Sequence, residues 1–193
     1  MVHILKMVVF KLIAAMCSDG GIGYKGQLPW PHCKADMAHF AKRTTGAGNN
    51  AVIMGKKTWD SIPARPLRNR ANLILSSHPP ETYETHQGQS SSEHWFKTVP
   101  DLFAHLEFAK YDEAWIIGGA SIYEQFWRCT TGMKSSLMKC VSPRLNQYIN
   151  ATRFFPHYAH DRLDALVSGL IPVDDDADHV FLHFTFYIFT RND

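Results

Sequence analysis

Three short apolar runs, each closed by a turn of small residues, constrain this chain most. They are Ala51-Val52-Ile53-Met54 before Gly55, Leu73-Ile74-Leu75 before Ser76-Ser77, and Trp115-Ile116-Ile117 before Gly118-Gly119. A run without polar alternation suits a strand buried on both faces, and such strands belong to parallel sheets covered by helices. The repeated order of strand, turn and helical pattern argues for an α/β architecture. Leu12-Ile13-Ala14-Ala15 reads as a further strand. Residues 180–190 place Phe181, His183, Thr185 and Tyr187 in an alternating pattern that reads as a C-terminal strand. A helix fits 99–109, with Asp101 near its start. The stretch 81–93 reads as an exposed loop after Pro79-Pro80, the Asp174-Asp175-Asp176 run between 161 and 179 as a solvated loop, and 128–138 shows no period.

At 193 residues the chain suits one domain, with no internal repeat and no linker to divide it, so 1–193 is expected to fold as a unit. A hydrophobic fraction of 45% and a charged fraction of 20% are ordinary for a soluble globular protein. The formal charge of +2 is too small to argue for nucleic acid or an anionic membrane. Cys17, Cys33, Cys129 and Cys140 form no zinc spacing, and reduced thiols in a cytoplasmic protein are the expectation. The apolar start is interrupted by Lys6 and Lys11 and runs into a strand, so it is not read as a signal peptide. No run reaches the roughly 20 apolar residues of a membrane span. The 11 histidines do not pair into a metal-ligand set, so no metal is expected.

The chemistry is concentrated in turns and in one acid. Residues 21–30, Gly-Ile-Gly-Tyr-Lys-Gly-Gln-Leu-Pro-Trp, form a glycine-rich loop ending in a rigid corner, and Asp36 follows six residues later. On helical spacing Cys33, Asp36, Met37 and Phe40 share one stripe, while Lys34, His39, Lys42 and Arg43 mostly turn away. An acid in an apolar stripe is costly unless something hydrogen-bonds it, which points to a ligand as the partner. Gly55-Lys56-Lys57-Thr58 begins a helix, where free backbone N–H groups and added lysines suit phosphate. By itself such a Lys-Lys pair is more often plain solvated surface. Gly118-Gly119-Ala120-Ser121 lets backbone approach a ligand closely, although the pattern is not GxGxxG and no Rossmann acid follows. Arg65, Arg68 and Arg70 precede a strand. An arginine fork there matches a carboxylate or phosphate, with Arg65 and Arg68 better read as surface residues.

In this order the pieces resemble the dihydrofolate reductase family over nearly the whole chain. The resemblance rests on five ordered motifs: Gly-Ile-Gly…Leu-Pro-Trp, Asp36…Phe40, Val-Ile-Met-Gly-Lys-Lys-Thr-Trp-Asp-Ser-Ile-Pro, Asn-Leu-Ile-Leu-Ser-Ser, and Ile-Ile-Gly-Gly-Ala-Ser-Ile-Tyr. The Trp30–Asp36 spacing is similar to the eukaryotic type, with aspartate as the acid. The resemblance implies a mostly parallel central sheet flanked by helices, with an antiparallel C-terminal strand. It also implies NADPH-dependent reduction of 7,8-dihydrofolate to tetrahydrofolate, with hydride delivered to C6 of the pterin and a proton to N5.

Carried over residue by residue, the resemblance makes Asp36, Trp30 and Ser142 the catalytic set. Asp36 would accept the fork formed by a pterin ring N–H and its exocyclic amine. Ile13, Ala15, Met37, Phe40, Ile62, Leu67, Ile117 and Tyr123 would bind substrate, and Arg70 would clamp its glutamate carboxylate. Cofactor binding would fall to Ala15, Ile22, Gly26, Gly55, Lys56, Lys57, Thr58, Leu75, Ser76, Ser77, Lys97, Gly118, Gly119, Ala120, Ser121, Ile122 and Tyr123. The Gly118–Gly119 bond would be cis, and the 21–30 loop would cover the nicotinamide. The chain departs from the family's pattern near its end. Counting back from Phe154-Phe155-Pro156 lands on Pro143, and one inserted residue near Arg153 puts Ser142 behind the acid instead. Ala151-Thr152-Arg153 stands where the family has Asp-Thr. The implied partners are dihydrofolate and antifolates, with no nucleic acid or membrane. A monomer is expected unless the chain is fused to or paired with thymidylate synthase. The alternatives are a non-catalytic NADP- or folate-binding protein and a related pteridine or pyrimidine reductase of the same fold.

Overall fold

The structure is a computed structural model, and it describes residues 8–17, 21–28, 33–80, 92–129, 134–141, 153–154, 164–172 and 181–190. The expected positions of Trp30, Ser142 and Pro143, and the acidic run at 174–176, lie outside them.

Alternation within the strands builds the core. Strands β1 (Val9–Cys17), β3 (Asn50–Gly55), β4 (Ala71–Leu75), β5 (Glu93–Phe96) and β6 (Glu113–Gly118) each send side chains to both faces of one sheet. Leu12, Ala14, Met16, Ala51, Ile53, Leu73, Phe96 and Ile116 pack on one face, against α3 (Val99–Phe108) and α4 (Ala120–Cys129). Ile13, Val52, Met54, Ile74, Trp95 and Trp115 pack on the other, with Phe40 of α1 (Lys34–Thr45) and Trp59 of α2 (Lys56–Ser61). Covering both faces is what makes the apolar runs continuous.

The sheet also includes β7 (Lys134–Val141), β9 (Asp164–Pro172) and β10 (Phe181–Thr190), in the order β5-β4-β3-β6-β1-β7-β10-β9. Every pairing from β5 through β7 is parallel, while β10 runs antiparallel to β7 and β9. The parallel strands therefore share one carboxyl edge, where their loops gather. A second, small sheet pairs β2 (Gly21–Gly23) with β8 (Arg153–Phe154), so the start of the glycine-rich loop is tied by backbone to the segment that lacks the family's Asp-Thr.

One sequence expectation is corrected, and two stretches that the sequence left without an element are filled. Glu93 is not loop: it opens β5, a four-residue strand that among the described residues pairs only with β4. The stretch 128–138 contains the start of β7, and 161–179 contains β9. These strands owe their pairing to distant partners rather than to a strong local period. β9 carries Gly169 and Pro172 and sits at the sheet edge, where such residues are tolerated. By contrast α3 is set locally. Thr98 Oγ1 accepts from the Asp101 N–H at 3.2 Å, and Asp101 Oδ2 accepts from the Thr98 N–H at 3.1 Å, a closed capping box.

Candidate active site

The site forms where α1 crosses the carboxyl ends of β1 and β6. Asp36 enters in the first turn of α1, and the C-terminal end of that helix is tied down from two directions. Gly46 (φ 54°) returns its N–H to the Lys42 carbonyl, and Asn50 Nδ2 donates to the carbonyls of Thr45 (2.9 Å) and Thr44 (3.4 Å). The helix therefore presents a fixed face. Cys33 and Asp36 on that face are buried, at 5% and 6% exposure, and Phe40 is half-buried.

Asp36 faces a cleft of about 480 Å³, part of it open solvent, lined by Ile13, Ala15, Met37, His39, Phe40 and Ile117 among others. No hydrogen bond to its carboxylate is found among the described residues. A position in the first turn of a helix favours a carboxylate. Burial outweighs that and pushes its pKa from 3.8 up to about 6. At neutral pH the group is thus mainly a desolvated anion, prepared to accept a hydrogen-bonding fork.

Tyr123 lies beneath the same cleft, 5% exposed. Its hydroxyl donates to the Ile13 carbonyl at 2.9 Å, joining α4 to β1. Burial, reinforced by the Asp36 charge, raises its pKa well above 10, so it remains a neutral donor. The tyrosine ring also explains Gly118. With φ at 110°, a Cβ there would meet three ring and hydroxyl atoms of Tyr123 at 3.0 Å. The Gly118–Gly119 peptide is cis, as the resemblance implied.

The two helix-starting turns converge. A Cβ on Gly119 would stand 3.5 Å from Thr58 Oγ1, and one on Gly55 would stand 3.1 Å from Ile122 Cγ1. The starts of α2 and α4 are therefore neighbours, because β3 and β6 pair in parallel and end together. Ser76, Ser77 and Lys97 follow β4 and β5 along the same edge. This edge offers backbone N–H groups, hydroxyls and exposed lysines within one strip, a donor set that fits the phosphates of a dinucleotide. Lys56 shares its charge with Asp60 through a 2.5 Å ion pair, while Lys57 is exposed. Leu75 and Ile122 turn their side chains into the core, so each can offer a ligand only its backbone.

Phe40, which lines the cleft, carries Arg70 stacked over its ring, 5.6 Å from the centroid. Arg70 donates Nη1 to Thr44 Oγ1 and Nε to the Arg68 carbonyl. Ile62 and Leu67 pack against the same apolar cluster as Phe40 and Ile117. The sequence thus brought Ile13, Ala15, Asp36, Met37, Phe40, Ile117 and Tyr123 to one cleft, while Ile62 and Leu67 join its apolar wall residues in one cluster and Arg70 reaches it through the Phe40 ring. Near the corner of the glycine-rich loop, Tyr24 and Gln27 exchange two 2.9 Å backbone hydrogen bonds around Lys25 (φ 47°) and Gly26 (φ 82°). This is a tight two-residue turn.

Two expectations change. His39 does not turn away: it lines the cleft one helical turn after Asp36, and burial, with Arg43 and Lys42 nearby, lowers its pKa. The spacing of three residues from Asp36 carried that signal. Arg65 is exposed but not merely solvated, since Nη1 caps the end of α2 through the Trp59 and Asp60 carbonyls at 3.1 and 2.9 Å. The sequence reading also missed Asn72, which is fully buried among polar partners.

A model of the dihydrofolate reductase family matches residues 9–190. A viral dihydrofolate reductase from Saimiriine herpesvirus 2 (strain 488) is 36% identical over 78% of this chain and 70% of its own length. The dihydrofolate reductase of Sus scrofa is 29% identical over 93% of this chain and 96% of its own. That of Gallus gallus is 37% identical over 58% of this chain, and the match spans 61% of the chicken protein.

Proposed function

This chain belongs to the dihydrofolate reductase family, and from that premise we propose that it reduces 7,8-dihydrofolate to 5,6,7,8-tetrahydrofolate with NADPH. One observation carries the reading: a buried carboxylate without a hydrogen bond among the described residues, in a cleft that adjoins a phosphate-suited strip. Asp36 accepts the ring N–H and the exocyclic amine of the pterin, which gives the desolvated anion a partner that the described residues do not supply. Held there, its charge favours the iminium-like form of the pterin and so makes C6 more electrophilic. Ile13, Phe40 and Ile117 wall the ring against water, and Met37 lies at the mouth of the cleft, 38% exposed. The Ile13 carbonyl, oriented by Tyr123, keeps a second lone pair for a ligand donor.

NADPH, when bound, supplies the hydride. The residues proposed to hold it are Lys56, Lys57, Thr58, Ser76, Ser77 and Lys97 for phosphates, with Gly118 to Ser121 as the second phosphate turn. Ala15 and the 21–30 loop, with Ile22 and Gly26, close over the nicotinamide. Trp30 and Ser142 complete the catalytic set in this reading. Both halves of the site come from one chain, which supports a monomer. Among the described residues no helix is long and apolar enough to cross a membrane, in keeping with cytoplasmic action.

Mixing the protein with NADPH and dihydrofolate and following nicotinamide absorbance tests the proposal. Substrate-dependent loss of absorbance is expected. Folded protein that binds NADPH but leaves it unoxidised would overturn the enzymatic reading in favour of a non-catalytic binder.

A further inference from the structure

The segment between Leu67 and Arg70 has no helix or strand of its own, yet it carries a leucine packed on the same apolar cluster as Phe40 and the arginine stacked over the Phe40 ring. Its backbone is organised by one side chain. Asn72, on β4 and fully buried, accepts from the Leu67 N–H through Oδ1 at 3.0 Å. Its Nδ2 donates to the Leu67 carbonyl at 2.9 Å, the Ser92 carbonyl at 3.0 Å and the Arg70 carbonyl at 3.1 Å. Two amide hydrogens face three carbonyls, so one of them is shared. The amide therefore grips both ends of the turn, around Asn69 in the left-handed region (φ 60°), and fastens it to the start of β5. Asparagine suits this because a single planar group must donate and accept at once, which no apolar residue of its size can do.

From this geometry we infer that Asn72 is a positioning residue which fixes Arg70, and thereby sets how strongly the site prefers ligands with a carboxylate tail over the bare ring. The inference rests on reading Arg70 as the clamp for that tail. Leu67 and Arg70 are both tied to Phe40, which lines the cleft: Leu67 packs on the same apolar cluster and Arg70 lies over the Phe40 ring. Thr44 supports the guanidinium from the other side. Its hydroxyl accepts from Arg70 Nη1 and donates to the Phe40 carbonyl at 2.8 Å. With the backbone held by Asn72 and the head by Thr44, the fork meets a carboxylate without first being ordered, which is where preorganisation gains affinity. A purely structural asparagine would instead affect ring and tail alike.

The test compares two substrates in the NADPH assay: 7,8-dihydrofolate, and 6-methyl-7,8-dihydropterin, which has the ring and no tail. Asn72→Ala is expected to raise KM for dihydrofolate about tenfold, while KM for the methylpterin and both kcat values stay within about twofold. Parallel rises in the two KM values, or no change in either, would overturn the inference. Arg70→Gln is the companion. If it also fails to separate the two substrates, the assignment of Arg70 is wrong and the inference falls with it. If it separates them and Asn72→Ala does not, the inference fails alone. A readout on the unaltered protein covers a variant that does not fold. Amide exchange at Leu67 N–H should already be slow without ligand, and fast exchange until dihydrofolate binds would show that Asn72 preorganises nothing.

Discussion

Replacing Asp36 by asparagine should make the protein more stable and far less active, and the two effects share one physical cause. Burial lifts the pKa of Asp36 from 3.8 to about 6. Two units at 1.36 kcal/mol each amount to about 3 kcal/mol of native-state cost for carrying the charge above pH 6. The native state binds the proton more tightly than the unfolded chain does. Between the two pKa values folding therefore takes up protons, and the stability of the wild-type protein falls as pH rises from about 4 to about 6, then levels. Asparagine keeps the shape and has no charge to desolvate. Its buried amide gives back roughly 1 kcal/mol, leaving the variant about 2 kcal/mol more stable at pH 8. For a chain of this size that is about 4–8 °C in Tm. Urea unfolding of both ligand-free proteins at pH 4, 5, 6 and 8 provides the assay, with the gap closing toward pH 4. Equal stabilities at pH 8, or a gap that persists unchanged at pH 4, would refute the reasoning. In the same variant kcat/KM for dihydrofolate should drop by about 10²–10³ at pH 7, because the charge proposed to polarise the pterin is gone. NADPH affinity should change by less than about twofold, since the proposed phosphate contacts lie on other elements.

Two further substitutions probe the floor of the cleft. Gly118→Ala places a Cβ 3.0 Å from the Tyr123 ring at a φ of 110°. A loss of about 2–4 kcal/mol in thermal or urea unfolding is expected, and a variant as stable as wild type would show that the turn relaxes freely. Tyr123→Phe removes the 2.9 Å bond to the Ile13 carbonyl and leaves the ring in place. It should cost about 1 kcal/mol in urea unfolding, and an unchanged midpoint would mean that the carbonyl finds another donor at no cost.

Much of the fold was legible because the governing signals are local. Ala51-Val52-Ile53-Met54 and Trp115-Ile116-Ile117 read as buried strands, and Asp101 marked the start of α3. The edge strands β5 and β9 were not legible. Their stability comes from one neighbour each, so their own residues need no strong period. Within the site, the apolar stripe on α1 announced Asp36, and the Gly118-Gly119 pair announced close backbone approach.

What the amino-acid order determined alone was which residues must be buried, where helices begin, and that one acid would sit among apolar neighbours. Only the tertiary structure decided how much that burial perturbs the acid, because desolvation depends on the surrounding atoms and not on spacing. It also decided that the turns at Gly55 and Gly119, 64 residues apart in sequence, meet, since parallel pairing of β3 and β6 aligns their ends. His39 belongs to the cleft for the same kind of reason: which side of a helix faces a ligand is set by what the helix packs against. Asn72 is the clearest case. In the sequence it is one polar residue before an apolar run, and only the folded loop around it reveals four hydrogen bonds gathered on a single amide.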